Sequence, residues 1–159
     1  MPYEIERKYL VKHIPENLTS YPCYQIEQGY LNTHPTVRIR KENDQYYLTY
    51  KNGSGMVHEE YNLSLDEKSY CHLKCKCDGL LIKKNRYHIP LAASEKSPEL
   101  TIELDVFSEP LTPLVYAEVE FLTEKDALAF IPPSWFGLEV TLDSRYSNAS
   151  LSKHGVPIT

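Results

Sequence analysis

The chain has 159 residues, of which 42% are hydrophobic and 25% charged, and this composition is typical of a single globular domain (1–159) with a hydrophobic core. Its formal net charge of −5 disfavours general nucleic-acid binding, which usually shows a basic excess. No apolar run approaches the about 18 residues of a transmembrane helix, and the N-terminus is charged where a signal peptide would be apolar, so we expect a cytoplasmic protein without a membrane partner.

Short alternating segments separated by turn signals predict eight strands. The turn signals include His34-Pro35, Asn43-Asp44 and the run from Asn52 to Gly55. Thirteen tyrosines and eleven prolines also favour strands and turns over long helices. The fold class is therefore mainly β (α+β), and the strands form a barrel or a sandwich. The predicted strands lie near residues 3–11, 24–31, 36–42, 45–51, 57–64, 80–90, 99–107 and 115–122.

Three short helices are predicted among these strands. Asp66 can cap a helix over 67–77 that ends at Gly79. The stretch that begins at Thr123 resembles a capping box and opens a helix that stops before Pro132-Pro133. A third helix within 143–152 is expected to pack on the outside of the sheet. The cysteines lack the paired spacing of a zinc site and are expected to be reduced thiols; they are Cys23, Cys71, Cys75 and Cys77.

The first strand carries charge on both faces. Because side chains alternate across a strand, Glu4, Glu6 and Lys8 share one face, and Arg7 lies on the other, where we expect a surface residue. The two carboxylates are about 6–7 Å apart, a spacing that suits a hard divalent cation. A lysine one step further suits a phosphate bridged to that cation.

Charged residues of one parity recur along the other predicted strands, whereas Val37, Ile39 and similar apolar residues take the opposite parity. The charged faces are either the solvated side of an antiparallel sheet or the interior of a closed eight-stranded barrel. The number of charges favours the barrel, because unpaired buried ions are costly and such an interior suggests a highly charged ligand. The inward-facing set would comprise the acids Glu4, Glu6, Glu60, Glu103, Asp105, Glu118 and Glu120 and the bases Lys8, Arg38, Arg40, Lys51, Lys84 and Arg86.

With these residues in view, the chain resembles the CYTH superfamily, also called triphosphate tunnel metalloenzymes. The hallmark of that family is an N-terminal Glu-x-Glu-x-Lys, which is Glu4-Ile5-Glu6-Arg7-Lys8 here. The similarity covers essentially the whole chain, and the compact length looks like the small bacterial inorganic triphosphatase branch. Further stretches that match in the family's order are residues 37–40, 48–51, 84–87, 103–107 and 118–121.

The resemblance implies a closed eight-stranded antiparallel tunnel with a few short helices outside, which binds a triphosphate and two Mg²⁺ or Mn²⁺ ions. Glu4, Glu6 and Lys8 become the catalytic candidates, and Asp105 would help to hold the second ion. Glu103 either orients a base or contributes to the metal site. The implied metal residues are Glu4, Glu6, Glu103, Asp105, Glu118 and Glu120. The implied substrate-binding residues are Lys8, Arg38, Arg40, Lys51, Lys84 and Arg86, with Glu60 as a weaker candidate.

One position departs from the family pattern. Many relatives carry two glutamates on the fifth strand, whereas here Glu60 is followed at equal parity by Asn62. Losing that carboxylate weakens the case for metal binding by this strand. Glu60 is therefore expected to tune the nearby arginines and lysines, and Asn62 is left outside the predicted site.

The implied activity is metal-dependent hydrolysis of a phosphoanhydride bond, with inorganic tripolyphosphate giving pyrophosphate and phosphate as the favoured reaction. The alternatives are a thiamine- or nucleoside-triphosphatase, a class IV-type adenylate cyclase that converts ATP to cyclic AMP, and a non-catalytic module that binds polyphosphate or nucleotide. A structural β domain without a ligand is the remaining alternative. The expected partner is a small-molecule triphosphate, and the expected assembly is a monomer or homodimer.

Overall fold

The computed structural model describes residues 3–95 and 98–158, and that part of the chain contains nine strands and three short α-helices. All eight predicted strands are present within a few residues of their expected ends. In chain order the elements are β1 (Tyr3–Val11), β2 (Cys23–Thr33), β3 (Thr36–Glu42), β4 (Gln45–Ser54), β5 (Val57–Leu65), α1 (Glu67–Lys74), β6 (Asp78–Leu91), β7 (Leu100–Phe107), β8 (Val115–Phe121), α2 (Glu124–Ala129), β9 (Phe136–Glu139) and α3 (Asn148–His154).

The sheet closes on itself. Its strand order is β5-β4-β3-β2-β6-β7-β8-β1, with antiparallel neighbours throughout. β1 also pairs with β5, where Tyr3 lies opposite Glu59 and Ile5 opposite Val57. This pairing converts the sheet into a barrel, because it leaves no fully open edge between the first and last strands. The predicted eight-stranded barrel is confirmed, and the sandwich alternative is wrong.

The ninth strand was not predicted from the sequence. β9 pairs with the second half of β1, with Tyr9 opposite Glu139 and Val11 opposite Phe136. It occupies the side of β1 that β5 leaves free. Arg7 fixes this arrangement, since its guanidinium lies 2.6 Å from Glu139 and also donates to the carbonyl of Ala127. Arg7 does point outward as predicted, but it anchors β9 and the end of α2 rather than lying free on the surface.

The apolar faces of the strands point away from the barrel interior and are covered by the connecting segments. One cluster joins Tyr9 and Val119 to Phe136 and to the half-buried Phe130 and Trp135. A second cluster packs Tyr116 of β8 against the C-terminal segment through Tyr146 and Leu151. Hydrophobic burial outside the barrel, together with the contacts between Tyr116 and the C-terminal segment, therefore stabilises the fold, because most of the interior face of the strands carries charge.

The predicted helix starts are confirmed by their capping bonds. The Asp66 carboxylate accepts from the backbone N–H of Ser69 at 2.7 Å, and the Thr123 hydroxyl accepts from that of Asp126 at 3.1 Å. α1 ends at Lys74, three residues before the predicted end. All four cysteines are free thiols, as expected. In residues 3–95 and 98–158, no helix is long and apolar enough to cross a membrane.

The predicted C-terminal helix is present, but the tail also reaches the barrel interior. Residues 140–144 and 147–150 line the interior cavity described below, together with Lys153 and His154 of α3. Tyr116 shares its strand face with Glu118 and therefore points inward, and its apolar ring needs cover that the tail supplies. Gly79 permits this docking, because a Cβ there would lie 2.6 Å from the Ser152 carbonyl oxygen and the residue has φ +69°.

Candidate active site

A cavity of about 710 Å³ occupies the barrel interior. It opens among the β2–β3 and β4–β5 turns and the C-terminal segment. All of the site residues predicted from the sequence line it except Lys84 and Asp105, which are absent from the described lining. The predicted residues that line the cavity are Glu4, Glu6, Lys8, Arg38, Arg40, Lys51, Glu60, Arg86, Glu103, Glu118 and Glu120.

One side of the cavity, here called the acidic wall, is built from Glu4, Glu6, Glu60, Glu118 and Glu120 of strands β1, β5 and β8. The strand register places Glu6 directly opposite Glu120. Like charges directly opposite each other destabilise a sheet unless something neutralises them. Burial and the Glu6 charge raise the pKa of Glu4 to about 9 and also raise the pKa of Glu118. Glu4 therefore favours its protonated form at neutral pH, and the pKa of Glu118 is shifted in the same direction.

Two pairs of carboxyl groups interact within this wall, Glu4 with Glu60 and Glu118 with Glu6. Burial raises the pKa of Glu4 and Glu118, whereas the pKa values of Glu60 and Glu6 are lowered. Despite burial, the hydrogen bond with Glu4 and the Lys51 charge lower the pKa of Glu60 to about 2. A metal cation that binds between the carboxyl groups of either pair would take the place of a proton.

Lys51 lies at the centre of the acidic wall. Its Nζ is 2.6 Å from Glu4, 3.6 Å from Glu6 and 3.7 Å from Glu60. Burial opposes the charge of this ammonium, but Glu6 and Glu4 more than offset it and raise the pKa of Lys51. Lys51 and the proton on Glu4 together supply positive charge that this wall requires.

The acidic wall has the donor chemistry of a divalent-metal site. Glu4, Glu6, Glu118 and Glu120 present hard carboxylate oxygens, which Mg²⁺ and Mn²⁺ prefer. Within the described ranges, no three His, Cys, Asp or Glu side chains are already arranged to hold a metal ion. Lys51 explains this, because it stands between the carboxylates that a cation would share. The residues fit the divalent metal that the family implies, provided that the protons dissociate and Lys51 moves away from the carboxylates.

The opposite side, here called the basic wall, consists of Arg38 and Arg40 on β3. Arg38 is 9% exposed and donates to the Thr49 hydroxyl at 3.3 Å, while Arg40 donates to the Gln28 side chain at 2.9 Å. Among the described residues, neither guanidinium has a carboxylate within 4.0 Å, and the buried Nε of Arg38 has no hydrogen-bond partner. Burial and the charges of Arg38 and Arg86 lower the pKa of Arg40 to about 10. Two neighbouring cations without a carboxylate partner among the described residues, Arg38 buried and Arg40 half-buried, favour an anionic ligand.

Lys8 projects into the cavity beside the acidic wall. Its Nζ donates to the Tyr146 carbonyl at 3.1 Å and lies 4.6 Å from the centre of the Tyr116 ring. No described carboxylate lies within ion-pair distance of it, although β1 register places Lys8 opposite Glu118. Its ammonium is thus available to a phosphoryl oxygen, and the tail carbonyl holds its position.

Lys84 and Asp105 form a fully buried ion pair at 2.7 Å, behind the cavity surface. Asp105 also receives two bonds from Arg86, from Nε at 2.8 Å and from an Nη at 2.9 Å. Although burial favours its neutral form, the Arg86 and Lys84 charges hold the pKa of Asp105 well below its usual range. This pair fixes Arg86, which reaches the lumen between Glu103 at 2.7 Å and Glu118 at 3.3 Å.

Several cavity residues were missed because they lie in turns and in the tail, where strand parity gives no information. Asn148, the first residue of α3, accepts from Lys84 at 3.1 Å and donates to the Tyr116 hydroxyl at 2.7 Å. His58 of β5 is bound to the Gly55 carbonyl at 2.8 Å. His58 shares parity with Glu60, so the alternation that identified the acids also contained the signal for His58.

Comparisons with known proteins agree with this architecture. The family model of the CYTH domain matches residues 2–130. The chain is 42% identical to the inorganic triphosphatase of Nitrosomonas europaea, over 94% of this chain and 96% of that protein, and 34% identical to the inorganic triphosphatase of Acetivibrio thermocellus, over 97% and 96%. A crystal structure of an inorganic triphosphatase superposes with a TM-score of 0.68 at 38% identity, covering 94% of this chain and 93% of the other. The resemblance seen in the sequence is confirmed, and the chain belongs to the CYTH domain family.

Proposed function

We propose that this chain is a divalent-metal-dependent triphosphatase that hydrolyses inorganic tripolyphosphate to pyrophosphate and phosphate. The observation that carries the proposal is the division of one cavity into a carboxylate-rich wall and a wall of unpaired arginines. Binding phosphate alone would require only bases, whereas phosphoryl transfer also uses a metal that neutralises charge. The names of the two relatives, at 42% and 34% identity, support tripolyphosphate as the substrate.

Substrate binding is assigned to the cations that face the lumen; among the described residues Arg38, Arg40 and Lys8 have no carboxylate within 4.0 Å, whereas Arg86 is held by Asp105, Glu103 and Glu118. Arg38 and Arg40 would bind phosphoryl oxygens from one side, and Lys8 and Arg86 from the others. Tripolyphosphate carries about four to five negative charges near neutral pH, so several cations are required to offset them. Guanidinium groups suit this task because they donate two parallel hydrogen bonds to an oxyanion.

Metal binding is assigned to Glu4, Glu6, Glu118 and Glu120, with Mg²⁺ or Mn²⁺ as the ion. When bound, such an ion would neutralise phosphoryl charge and favour ionisation of the attacking water. A second ion would have to use Glu103, because both Asp105 oxygens already accept bonds from Lys84 and Arg86. We therefore assign Asp105 and Lys84 to positioning Arg86, in place of the metal and substrate contacts expected from the sequence.

In the proposed hydrolysis, the water oxygen forms a bond to the terminal phosphorus while the bridging P–O bond breaks and pyrophosphate leaves with the electron pair. Lys8, held by the Tyr146 carbonyl, would neutralise charge that develops on the transferred phosphoryl group. The proton released by the water would pass to a carboxylate of the acidic wall. Arg38 and Arg40 would hold the rest of the tripolyphosphate in line with the terminal phosphoryl group.

A substrate panel tests the proposal. Tripolyphosphate, thiamine triphosphate and ATP are incubated with Mg²⁺ or Mn²⁺, and phosphate, pyrophosphate and cyclic AMP are quantified. We expect phosphate and pyrophosphate in equal amounts from tripolyphosphate, and no turnover with EDTA. Cyclic AMP with pyrophosphate would instead identify a cyclase. Tight triphosphate binding without turnover would identify a binding module, and absence of any thermal shift with triphosphate and metal would identify a structural domain.

A further inference from the structure

A second, smaller cavity of about 220 Å³ adjoins the main one. Residues of β3, β4 and β5 line it, including Glu42 and Tyr47 on either side of the β3–β4 turn. Arg38, Arg40 and two carboxylates line both cavities, so the guanidinium groups lie where the two spaces adjoin. Three residues line the second cavity and are not among the described residues that line the first. These residues are Tyr47, Thr49 and Asn62.

A directed chain of hydrogen bonds crosses this second cavity. Arg38 donates to the Thr49 hydroxyl at 3.3 Å, and that hydroxyl donates to the Asn62 side-chain oxygen at 2.6 Å. The Asn62 amide then donates to Glu60 at 2.9 Å. Because a hydroxyl has one hydrogen and two lone pairs, Thr49 can accept from Arg38 and donate to Asn62 at the same time.

An amide is the side chain that suits position 62. It must accept from Thr49 and donate to Glu60 at the same time, and a carboxylate cannot donate when it is ionised. An aspartate or glutamate there would place a second negative charge beside Glu60. Only the Thr49 hydroxyl would then separate this negative charge from Arg38.

The consequence of these hydrogen bonds is that the partner of Arg38 is a neutral hydroxyl and not a carboxylate. Thr49 orients the guanidinium without neutralising it, and the buried Nε remains without a partner in the described part of the chain. Glu60, one of the two carboxylates in this cavity, is bound to Asn62 and lies 3.7 Å from Lys51. Glu42, the other carboxylate, is the last residue of β3 and is half-buried, so solvent reaches it.

We propose that this second cavity, beside the β3–β4 turn, is a binding site for inorganic phosphate. The Thr49–Asn62 pair keeps Arg38 free to bind the anion. The two guanidiniums that line both spaces would pass the anion from one to the other. The proposal rests on the proposed hydrolysis only for the source of the phosphate; the binding itself requires neither metal nor turnover. Asn62, the departure from the family pattern, thereby becomes a residue that determines anion binding.

Phosphate binding to the metal-free full-length protein is the test, measured by equilibrium dialysis with labelled inorganic phosphate in EDTA. Asn62→Asp is expected to lower phosphate affinity at least about tenfold, because it adds a negative charge two hydrogen bonds from Arg38. Asn62 is exposed, so this variant should fold. Thr49→Val, which removes the linking hydroxyl, should lower affinity as well, whereas the matched control Thr49→Ser should not.

A variant confined to the main cavity locates the bound anion. Lys8→Met should lower phosphate affinity by less than about threefold, because Lys8 does not belong to the described lining of the second cavity. The proposal is overturned if Lys8→Met lowers affinity more than Asn62→Asp, if Asn62→Asp has no effect, or if the wild-type protein binds no phosphate at millimolar concentration. Failure of the proposed function would appear separately, as absent turnover in the substrate panel.

Discussion

The two walls of the cavity satisfy their charges in different ways. In the acidic wall, burial and the Glu6 charge raise the pKa of Glu4 and Glu118, and the Lys51 ammonium lies 2.6 Å from Glu4. The arginines of the basic wall donate to neutral groups, the Thr49 hydroxyl and the Gln28 amide, and have no carboxylate within 4.0 Å in the described part of the chain. The metal-free protein is thus prepared to bind an anion directly, whereas a cation must displace protons and a lysine. This difference suggests that metal binds best together with triphosphate, which attracts both the ion and Lys51.

Neutralising the buried Asp105 carboxylate should have the largest effect on the free energy of unfolding. Asp105→Asn leaves Lys84 buried without a counterion, and breaking a buried pair in this way costs about 3–5 kcal/mol. Urea denaturation of the metal-free protein measures the loss, with the exposed Asp44→Asn as the control. A loss below about 1 kcal/mol, accompanied by a large loss of metal affinity, would show that Asp105 binds metal, as expected from the sequence.

Neutralising a carboxylate of the acidic wall should abolish most of the metal-dependent activity. Glu6→Gln removes one oxygen charge from the proposed metal set, and we expect kcat for tripolyphosphate to fall on the order of 100-fold at fixed Mg²⁺. Steady-state kinetics over a range of Mg²⁺ concentrations provides the measurement. Glu16→Gln, on the exposed surface, should leave the rate unchanged. Undiminished metal-dependent turnover in Glu6→Gln would refute the assigned metal role.

Neutralising the basic wall should weaken binding more than chemistry. Arg40→Gln removes a phosphoryl ligand, so KM should rise about tenfold with a smaller change in kcat. It also relieves the repulsion between Arg40, Arg38 and Arg86, so the thermal stability of the ligand-free protein should not fall. The exposed neighbour Lys41→Gln is the matched control on the same strand. A large loss of stability with unchanged KM would mean that Arg40 is structural.

The protons of the acidic wall predict a pH dependence with a definite sign. Because burial and Glu6 raise the pKa of Glu4 from its ordinary value of 4.5 to about 9, the folded protein holds an extra proton between these limits. The stabilisation from this group is complete below pH 4.5 and is lost as the pH rises through about 9. Melting temperatures of the metal-free protein should therefore decrease less steeply over this range in Glu4→Gln than in wild type. Equal slopes would show that Glu4 is ionised throughout.

Strand parity predicted the walls of the barrel but not their depth. Alternation assigned Lys84 and Asp105 to the inward face together with Arg86, and their pairing confirms that they share it. Parity cannot show that Asn148 and the tail cover them, because those contacts join segments far apart in sequence. β9 has only four residues, too few for a reliable alternation. The helix starts were predictable, since the bonds of Asp66 and Thr123 are local.

Binding of tripolyphosphate with and without Mg²⁺, in the wild type and in Glu6→Gln, tests the division of the cavity most directly. Isothermal titration of a slow or inhibited form, with Ca²⁺ in place of Mg²⁺ if turnover interferes, gives the affinities. We expect the metal to raise tripolyphosphate affinity at least about tenfold in the wild type, and this gain to disappear in Glu6→Gln while metal-free binding persists. Equal affinities with and without metal in the wild type would contradict the assignment of one wall to the metal and the other to the phosphates.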